Sequence, residues 1–354
     1  MSLVCGLKAR NLRSIRRLDL ALDAGLTVVT GANGAGKTTL IEALYLVARG
    51  RSFRGRRWGE LTSVGEGSTE IEVRVREGAE ERRWVYWREG GASGRRVDGL
   101  ALLDGEHRRL GLRMVGEGAE VLLEGEPGMR RRFLDWNAFH VEPGYGATLV
   151  RFRRLLRQRN AWLKGGGRGP AVWDPEYASA GEALAALRGG YFAAWSAALD
   201  RISGGIAAGA GLSLTMARGW PEGEPLAESL RRDLASDRHR GFTRLGPGRA
   251  DWGLVSEGGA ASLSRGQAKA MVCLLQVAAE RIERGCKGRG SLWLLDDLPS
   301  GLDRRSLQTV MDLLMDGGGQ CVLTLVGGPE RAADLPIPAG ALFHVERGQL
   351  NALT

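Results

Sequence analysis

The chain has 354 residues, enough for two lobes with separate cores, and 43% hydrophobic against 26% charged residues excludes a disordered chain. No apolar run approaches the roughly 20 residues of a membrane-spanning helix, and Met1 to Arg10 lacks the apolar stretch of a secretory signal. A net charge of +9 points to polyanionic partners, although lysine occurs only at positions 8, 37, 164, 269 and 287 and a GC-rich genome alone produces such an arginine bias. Cys5, Cys273, Cys286 and Cys321 lie far apart with no CxxC pair, the pattern of reduced thiols in a cytosolic protein.

In chain order, Val4, Gly6 and Lys8 and then Leu18, Leu20 and Leu22 share a parity, as strands do. Asp23-Ala24-Gly25 makes a turn into the short β run Leu26 to Thr30, which Gly31 to Gly36 interrupts. From Thr38, Ile41, Leu44, Tyr45 and Ala48 recur at helical spacing, and Gly50 ends the helix. The alternating runs 70–76 and 83–87 predict antiparallel strands with a glycine turn between them. After about residue 115 the character becomes helical. Leu149, Phe152, Leu156 and Leu163 predict one apolar face, with Arg151, Arg154, Arg157 and Arg159 mostly on the others. Residues 176–201 and the series Leu226, Leu230, Leu234 predict two further helices. Beyond residue 290, Leu292 to Leu295 reads as a buried strand, Arg304 to Met315 as a helix and Cys321 to Val326 as another strand. The expected organisation is therefore an α/β lobe from 1–115 and 290–354, with a mainly helical second lobe over 116–289.

Three strings carry chemistry. Gly31-Ala32-Asn33-Gly34-Ala35-Gly36-Lys37-Thr38 fits GxxxxGK[ST] in full, with a strand before it and a helix after it. Its glycines let backbone N–H groups curl toward a phosphate chain at a helix N-terminus. Lys37 is placed to neutralise β/γ oxygens and the Thr38 hydroxyl to ligate Mg²⁺. Leu292 to Asp297 is an apolar strand that delivers two carboxylates at its C-terminal end, where α/β proteins place their ligands. Asp296 is the candidate metal residue and Asp297 the candidate to polarise the attacking water. Leu263-Ser264-Arg265-Gly266-Gln267 precedes an apolar helix and offers a second anion site, although a plain helix cap accounts for it equally well.

The order of these strings, closed by Ser300-Gly301-Leu302-Asp303, is that of ABC-type ATPase heads. Across almost the whole chain the sequence further resembles the RecF family of bacterial recombinational repair. The resemblance rests on Gly50-Arg51-Ser52-Phe53-Arg54, Arg131-Arg132-Phe133-Leu134-Asp135-Trp136, Phe139-His140-Val141-Glu142-Pro143 and Gln158-Arg159-Asn160. It also rests on Leu263 to Lys269 and Leu295-Asp296-Asp297.

The resemblance implies an ABC/SMC-type P-loop head with an inserted helical lobe, ATP and Mg²⁺ as cofactors, and a homodimer held together by ATP on DNA. It implies weak hydrolysis, release, and cooperation with the RecO and RecR mediators in loading RecA at single-strand gaps. Residues Gly31 to Thr38 and Thr39 would hold nucleotide in one copy, and Ser264, Arg265, Gly266 and Gln267 would meet the γ-phosphate from the other. By analogy with related heads, Arg10, Asn11 and Arg13 contact base or ribose; ordinary surface residues near a strand turn are the equal alternative. Candidate DNA-phosphate contacts are Arg54, Arg56, Arg57, Arg151, Arg154 and Arg157, with backbone or shape recognition expected in place of base reading. The chain departs from the usual family pattern at four places: Gly248 for histidine, Gly301 for glutamate, Thr39 for asparagine, and the stretch Met114 to Gly118. Two alternatives stand beside this reading: a nucleotide-gated scaffold with little hydrolysis, and the energising subunit of a transporter.

Overall fold

The structure, a computed structural model, describes residues 2–54, 61–102, 110–203, 211–256, 258–288, 290–316 and 318–353. The chain opens with β1 (Ser2–Leu12), β2 (Ile15–Ala21), β3 (Leu26–Gly31) and α1 (Lys37–Arg49), followed by β4 (Ser68–Glu77), β5 (Glu80–Glu89), β6 (Ala92–Val97), β7 (Leu100–Ala101) and β8 (Leu112–Val115). The middle holds α2 (Val121–Glu124), α3 (Pro127–Val141), α4 (Tyr145–Lys164), α5 (Asp174–Ser203), β9 (Ser213–Ala217), α6 (Leu226–Arg240), β10 (Asp251–Ser256) and β11 (Gly259–Ala260). It closes with α7 (Arg265–Lys287), β12 (Leu292–Asp296), α8 (Arg304–Met315), β13 (Gln320–Val326), β14 (Ala341–Glu346) and β15 (Gln349–Leu353).

Two compact units form: residues 1–119, 265–280 and 287–354 make the first, and 120–264 with 281–286 the second. A change of composition alone put all of 116–289 in one lobe. The first sixteen residues of α7 instead belong to the first unit, because Ala268 to Ala279 are almost all buried there.

The first unit contains two six-stranded sheets. One is antiparallel, in the order β2-β1-β4-β5-β6-β7. The other runs β15-β14-β3-β13-β12-β8, parallel apart from the β14–β15 hairpin. Its inner strands are near-continuous apolar runs, as strands covered on both faces must be. Helix α1 is apolar on every side: Leu40, Ile41, Leu44, Leu46 and Val47 are all at most 1% exposed. Such a helix has no face to offer water. It touches β1, β4 and β5 of one sheet and β3, β12 and β13 of the other. In β1 the alternation shifts at an irregularity between Val4 and Gly6, so Leu7 and Ala9 point inward and Lys8 outward, against the expected single parity.

The second unit packs α3, α4 and α6 around the 30-residue α5, with the small sheet β11-β10-β9 alongside. Trp195 is fully buried, with its ring against Phe133 and Trp252. Two polar knots lie in this interior. Asp135 accepts from Tyr145 Oη at 2.6 Å and from Arg188 Nε at 2.9 Å. Arg159, expected on an exposed face, is instead completely buried, donating to Asp174 at 2.7 Å and to Asp237 at 2.6 Å. It sits on the same helical stripe as Phe152, Leu155 and Leu163, and two carboxylates compensate its charge.

Removing Arg159 therefore strands two carboxylates away from water. Arg159→Met is expected to lose about 3–5 kcal/mol of stability, read as a fall in urea midpoint at unchanged slope. Arg151→Met, on the exposed side of the same helix, is expected to leave the midpoint within about 0.5 kcal/mol of wild type.

Candidate functional site

The glycine loop follows directly from the burial of β3 and α1. Strand β3 has all six residues buried and ends at Gly31, where φ is 156° and a Cβ would lie 2.6 Å from the Val345 carbonyl oxygen. Gly36 caps α1 at φ 120°, a left-handed conformation that favours glycine. The loop is lashed from behind, since Gly327 N–H donates to Gly31 O at 3.1 Å and Gly348 N–H to Ala35 O at 3.0 Å. A Cβ on Gly34 would meet nothing within 4 Å, so the front of the loop is open. Thr39 N–H already donates to Gly36 O at 3.0 Å, which leaves the amides of Lys37 and Thr38, with the helix dipole, as the groups suited to an anion at this end.

Lys37, only 6% exposed, donates to Gly31 O at 2.8 Å and Ala32 O at 2.9 Å, using two of its three N–H groups. Burial lowers its pKa below the usual lysine value, while the charges of Asp297 and Asp296 oppose that shift.

Those aspartates stand at the C-terminal end of β12. Asp296 Oδ1 accepts from Thr38 Oγ1 at 3.3 Å and from Thr324 Oγ1 at 2.6 Å. Asp297 takes the left-handed conformation, φ 51°, and its N–H donates to the same Thr324 Oγ1 at 3.0 Å. Thr324 thus fixes both acidic residues. Its signal in the sequence is a single hydroxyl in the middle of the apolar strand Cys321 to Val326, in register with Asp296. Lys269, the last residue of the Leu263 to Lys269 string, has no role in the motif-based reading. Buried on α7, it donates to Asp297 O at 3.0 Å and to Ser300 O at 2.8 Å, pinning the loop after β12. On the first turn of α7, a Cβ added to Gly266 would overlap the Gly301 carbonyl oxygen.

The other predicted residues are distributed as follows. Ser264, Arg265 and Gln267 are exposed, and the boundary between the units falls between Ser264 and Arg265. Thr39 is buried in the first turn of α1. Arg10 is exposed on β1, and Asn11 donates to Glu66 at 3.2 Å. Arg13 forks onto Glu42, donating to it at 2.5 and 2.8 Å. Glu42 is wholly buried and also accepts from Ser52 Oγ at 2.5 Å, with Arg54 at 3.7 Å. The Gly50 to Arg54 string therefore wraps a buried carboxylate on α1. Arg151, Arg154 and Arg157 are exposed on α4, while Arg56 and Arg57 lie outside the described residues.

Among the described residues no group of three or more His, Cys, Asp or Glu side chains is arranged to hold a metal. Two hard oxygen donors, Thr38 Oγ1 and Asp296 Oδ1, fit Mg²⁺, which keeps several waters and phosphate oxygens in its shell.

The AAA domain family matches residues 7–96. The DNA replication and repair protein RecF of Xanthomonas euvesicatoria pv. vesicatoria strain 85-10 is 38% identical, over 98% of both chains. That of Thioalkalivibrio sulfidiphilus is 34% identical over the same shares, and that of Pseudomonas aeruginosa strain UCBPP-PA14 is 32% identical over 97% of this chain and 95% of its own. The chain belongs to the RecF family. The resemblance drawn from scattered strings thus extends along nearly the whole chain, and membership of this DNA replication and repair family sets aside the transporter reading.

Solved structures agree on the RecF architecture. The recombination mediator protein RecF-ATP in the RecFOR pathway superposes with TM-score 0.81 at 22% identity, covering all of this chain and 98% of that one. The Smc head domain of Pyrococcus furiosus, with an extended coiled coil bound to the C-terminal domain of ScpA, gives 0.59 at 15%, covering 100% and 97%. The fold is that of an ABC/SMC-type ATPase head, as expected from the motif order.

The Thr324 bridge is testable by itself. Thr324→Val keeps the shape and removes the hydroxyl, leaving Asp297 N–H without its acceptor. A stability loss of about 1–3 kcal/mol in urea unfolding is expected, with Thr324→Ser restoring most of it.

Proposed function

We propose that this RecF-family chain binds ATP with Mg²⁺ at Gly31 to Thr38, pairs with a second copy on DNA while the triphosphate is intact, and separates after slow hydrolysis. The observation that carries this reading is the meeting of Lys37, Thr38 and Asp296 at the N-terminus of a helix locked between two sheets.

Each residue has a distinct part. The amides of Gly34, Gly36 and Lys37 face the phosphate chain, and Lys37 turns its remaining N–H toward the β/γ oxygens. Thr38 Oγ1 and Asp296 would hold the metal, and Thr324 orients Asp296 by donating its hydroxyl to Oδ1 at 2.6 Å. MgATP, when bound, supplies the phosphoanhydride and the charge that links the two copies. Asp297 orients the attacking water, with its backbone held by Thr324 and Lys269 so that the carboxylate enters at a set angle. Ser264 and Gly266 of one copy meet the γ-phosphate held by the other, so nucleotide state governs pairing. Arg13 supports the site through Glu42. Arg10 and Asn11 remain the candidates for base and ribose.

The exposed arginines of α4, Arg151, Arg154 and Arg157, together with Arg54, carry duplex or gapped DNA by its phosphates. The name of the solved RecF relative, a recombination mediator in the RecFOR pathway, supports joint action with RecO and RecR, and loading of RecA at gaps is the task the family resemblance implies for them.

Lys37→Ala is expected to weaken ATP affinity about 10- to 150-fold, the worth of a charge-assisted hydrogen bond, and to abolish the ATP-dependent dimer in sedimentation. Unchanged affinity overturns the phosphate-loop assignment. In single-turnover phosphate release, Asp297→Asn is expected to be far slower than wild type. Equal rates instead favour a nucleotide-gated scaffold that barely hydrolyses.

For DNA, replacing Arg151, Arg154 and Arg157 by glutamine is expected to flatten the slope of log affinity against log salt by about 0.9 for each lost phosphate contact. An unaltered slope removes this helix from the DNA track.

A further inference from the structure

Beside the arginine face of α4, the second unit contains a cavity of about 380 Å³ that the nucleotide site does not use. Its walls are Leu156, Tyr177, Phe242 and Leu245, and its polar groups come from Asn160 and Thr243. The floor is Gly248, which contributes no side chain, and Arg249 lies over the Phe242 ring at 5.4 Å. The cavity is preformed. Tyr177 Oη donates to Leu245 O at 2.8 Å and Arg188 to Pro247 O at 2.7 Å, which fixes the segment carrying Gly248 and Arg249. Asn160 Oδ1 accepts from both Thr243 N–H and Thr243 Oγ1, at 2.8 and 2.7 Å. That pair settles the orientation of the amide and leaves its NH₂ as the donor of the cavity.

The rim is cationic. Arg249 lines it, and Arg157 follows the lining residue Leu156 on α4, which carries no carboxylate along its 20 residues. Among the described residues neither Arg157 nor Arg249 is engaged in an ion pair. A recess with an exposed aromatic ring, one amide donor and the Arg249 guanidinium at its edge matches a planar heterocycle attached to a phosphate backbone. We infer that this cavity takes an unpaired nucleobase of a DNA strand, its face against the exposed Phe242 ring, its acceptor edge on Asn160 and its flanking phosphates on Arg249 and Arg157. The inference rests on the DNA-binding reading above and adds a contact with single-stranded bases to one made of phosphates alone.

The test compares three DNAs in the presence of ATP: a plain duplex, a gapped duplex, and the same gapped duplex with abasic sites in the gap. Wild type is expected to favour the base-bearing gap over the abasic one about tenfold, the scale of one stacked base. Gly248→Met fills the recess. A Cβ there meets Leu156 at an ordinary 3.6 Å, so the fold tolerates it, and thermal unfolding checks this. That variant, and separately Phe242→Ser at the rim, are expected to bring the ratio to one with duplex affinity unchanged. A wild-type ratio of one, or a ratio that survives Gly248→Met, overturns the inference and leaves the phosphate track standing. Failure of wild type to bind any of the three DNAs overturns the DNA reading itself.

Discussion

Everything at the nucleotide end depends on α1 being unable to move. A helix with apolar residues on all sides, sealed between two sheets, stabilises the unit by about 1.5–3 kcal/mol for each large side chain it buries. Sliding or tilting it would expose one face or the other. Its N-terminal amides are therefore fixed in space before any anion arrives, and so is the direction of its dipole. The hairpin β14–β15 and the turn at Gly327 complete the restraint by holding the loop carbonyls of Ala35 and Gly31. An anion site whose donors need no reorganisation spends little of its binding energy on ordering the protein.

The same logic explains why charges are buried around it. Glu42 points into the core from α1, where an uncompensated carboxylate would be very costly. Arg13 and Ser52 satisfy it, so the strand turn before the loop and the segment after α1 are tied to the same helix. Arg159 does the equivalent work in the second unit, joining α4 to Asp174 on α5 and Asp237 on α6. Such ion pairs add less to stability than an apolar core of equal volume, but they penalise any packing that separates the partners.

How much of this is legible in the sequence depends on whether a residue's role follows from its own string. The glycine loop, the strand ending in Asp296 and the helix Arg304–Met315 follow from local patterns, because backbone chemistry and apolar periodicity are local. Arg159 fails that test. Its spacing from Leu155 and Leu163 puts it on the inner stripe, yet arginine there reads as exposed until the carboxylates at 174 and 237 are known, and those lie far along the chain. Thr324 and Lys269 are invisible for the same reason, since their partners Asp296 and Asp297 become neighbours only when β12 and β13 pair and α7 docks. The hairpin β14–β15, which supplies the Val345 carbonyl behind Gly31, is a short strand pair with weak alternation and leaves no motif.

Gly301 shows the limit of judging a departure by a string alone. Against the usual family pattern a glycine there reads as the loss of a side chain. In the fold, its φ of 83° lies in the left-handed region, which costs residues other than glycine roughly 1–2 kcal/mol, and its carbonyl faces the bare Cα of Gly266. Lys269, one turn along the same helix, holds the neighbouring carbonyls of Asp297 and Ser300. The first turn of α7 and the loop after β12 thus interlock through backbone atoms, and a change in the path of Asp297 must be felt at Gly266. In this chain the bare Cα of Gly266 permits that close approach, and the glycine at 301 supplies the left-handed turn that aims its carbonyl there.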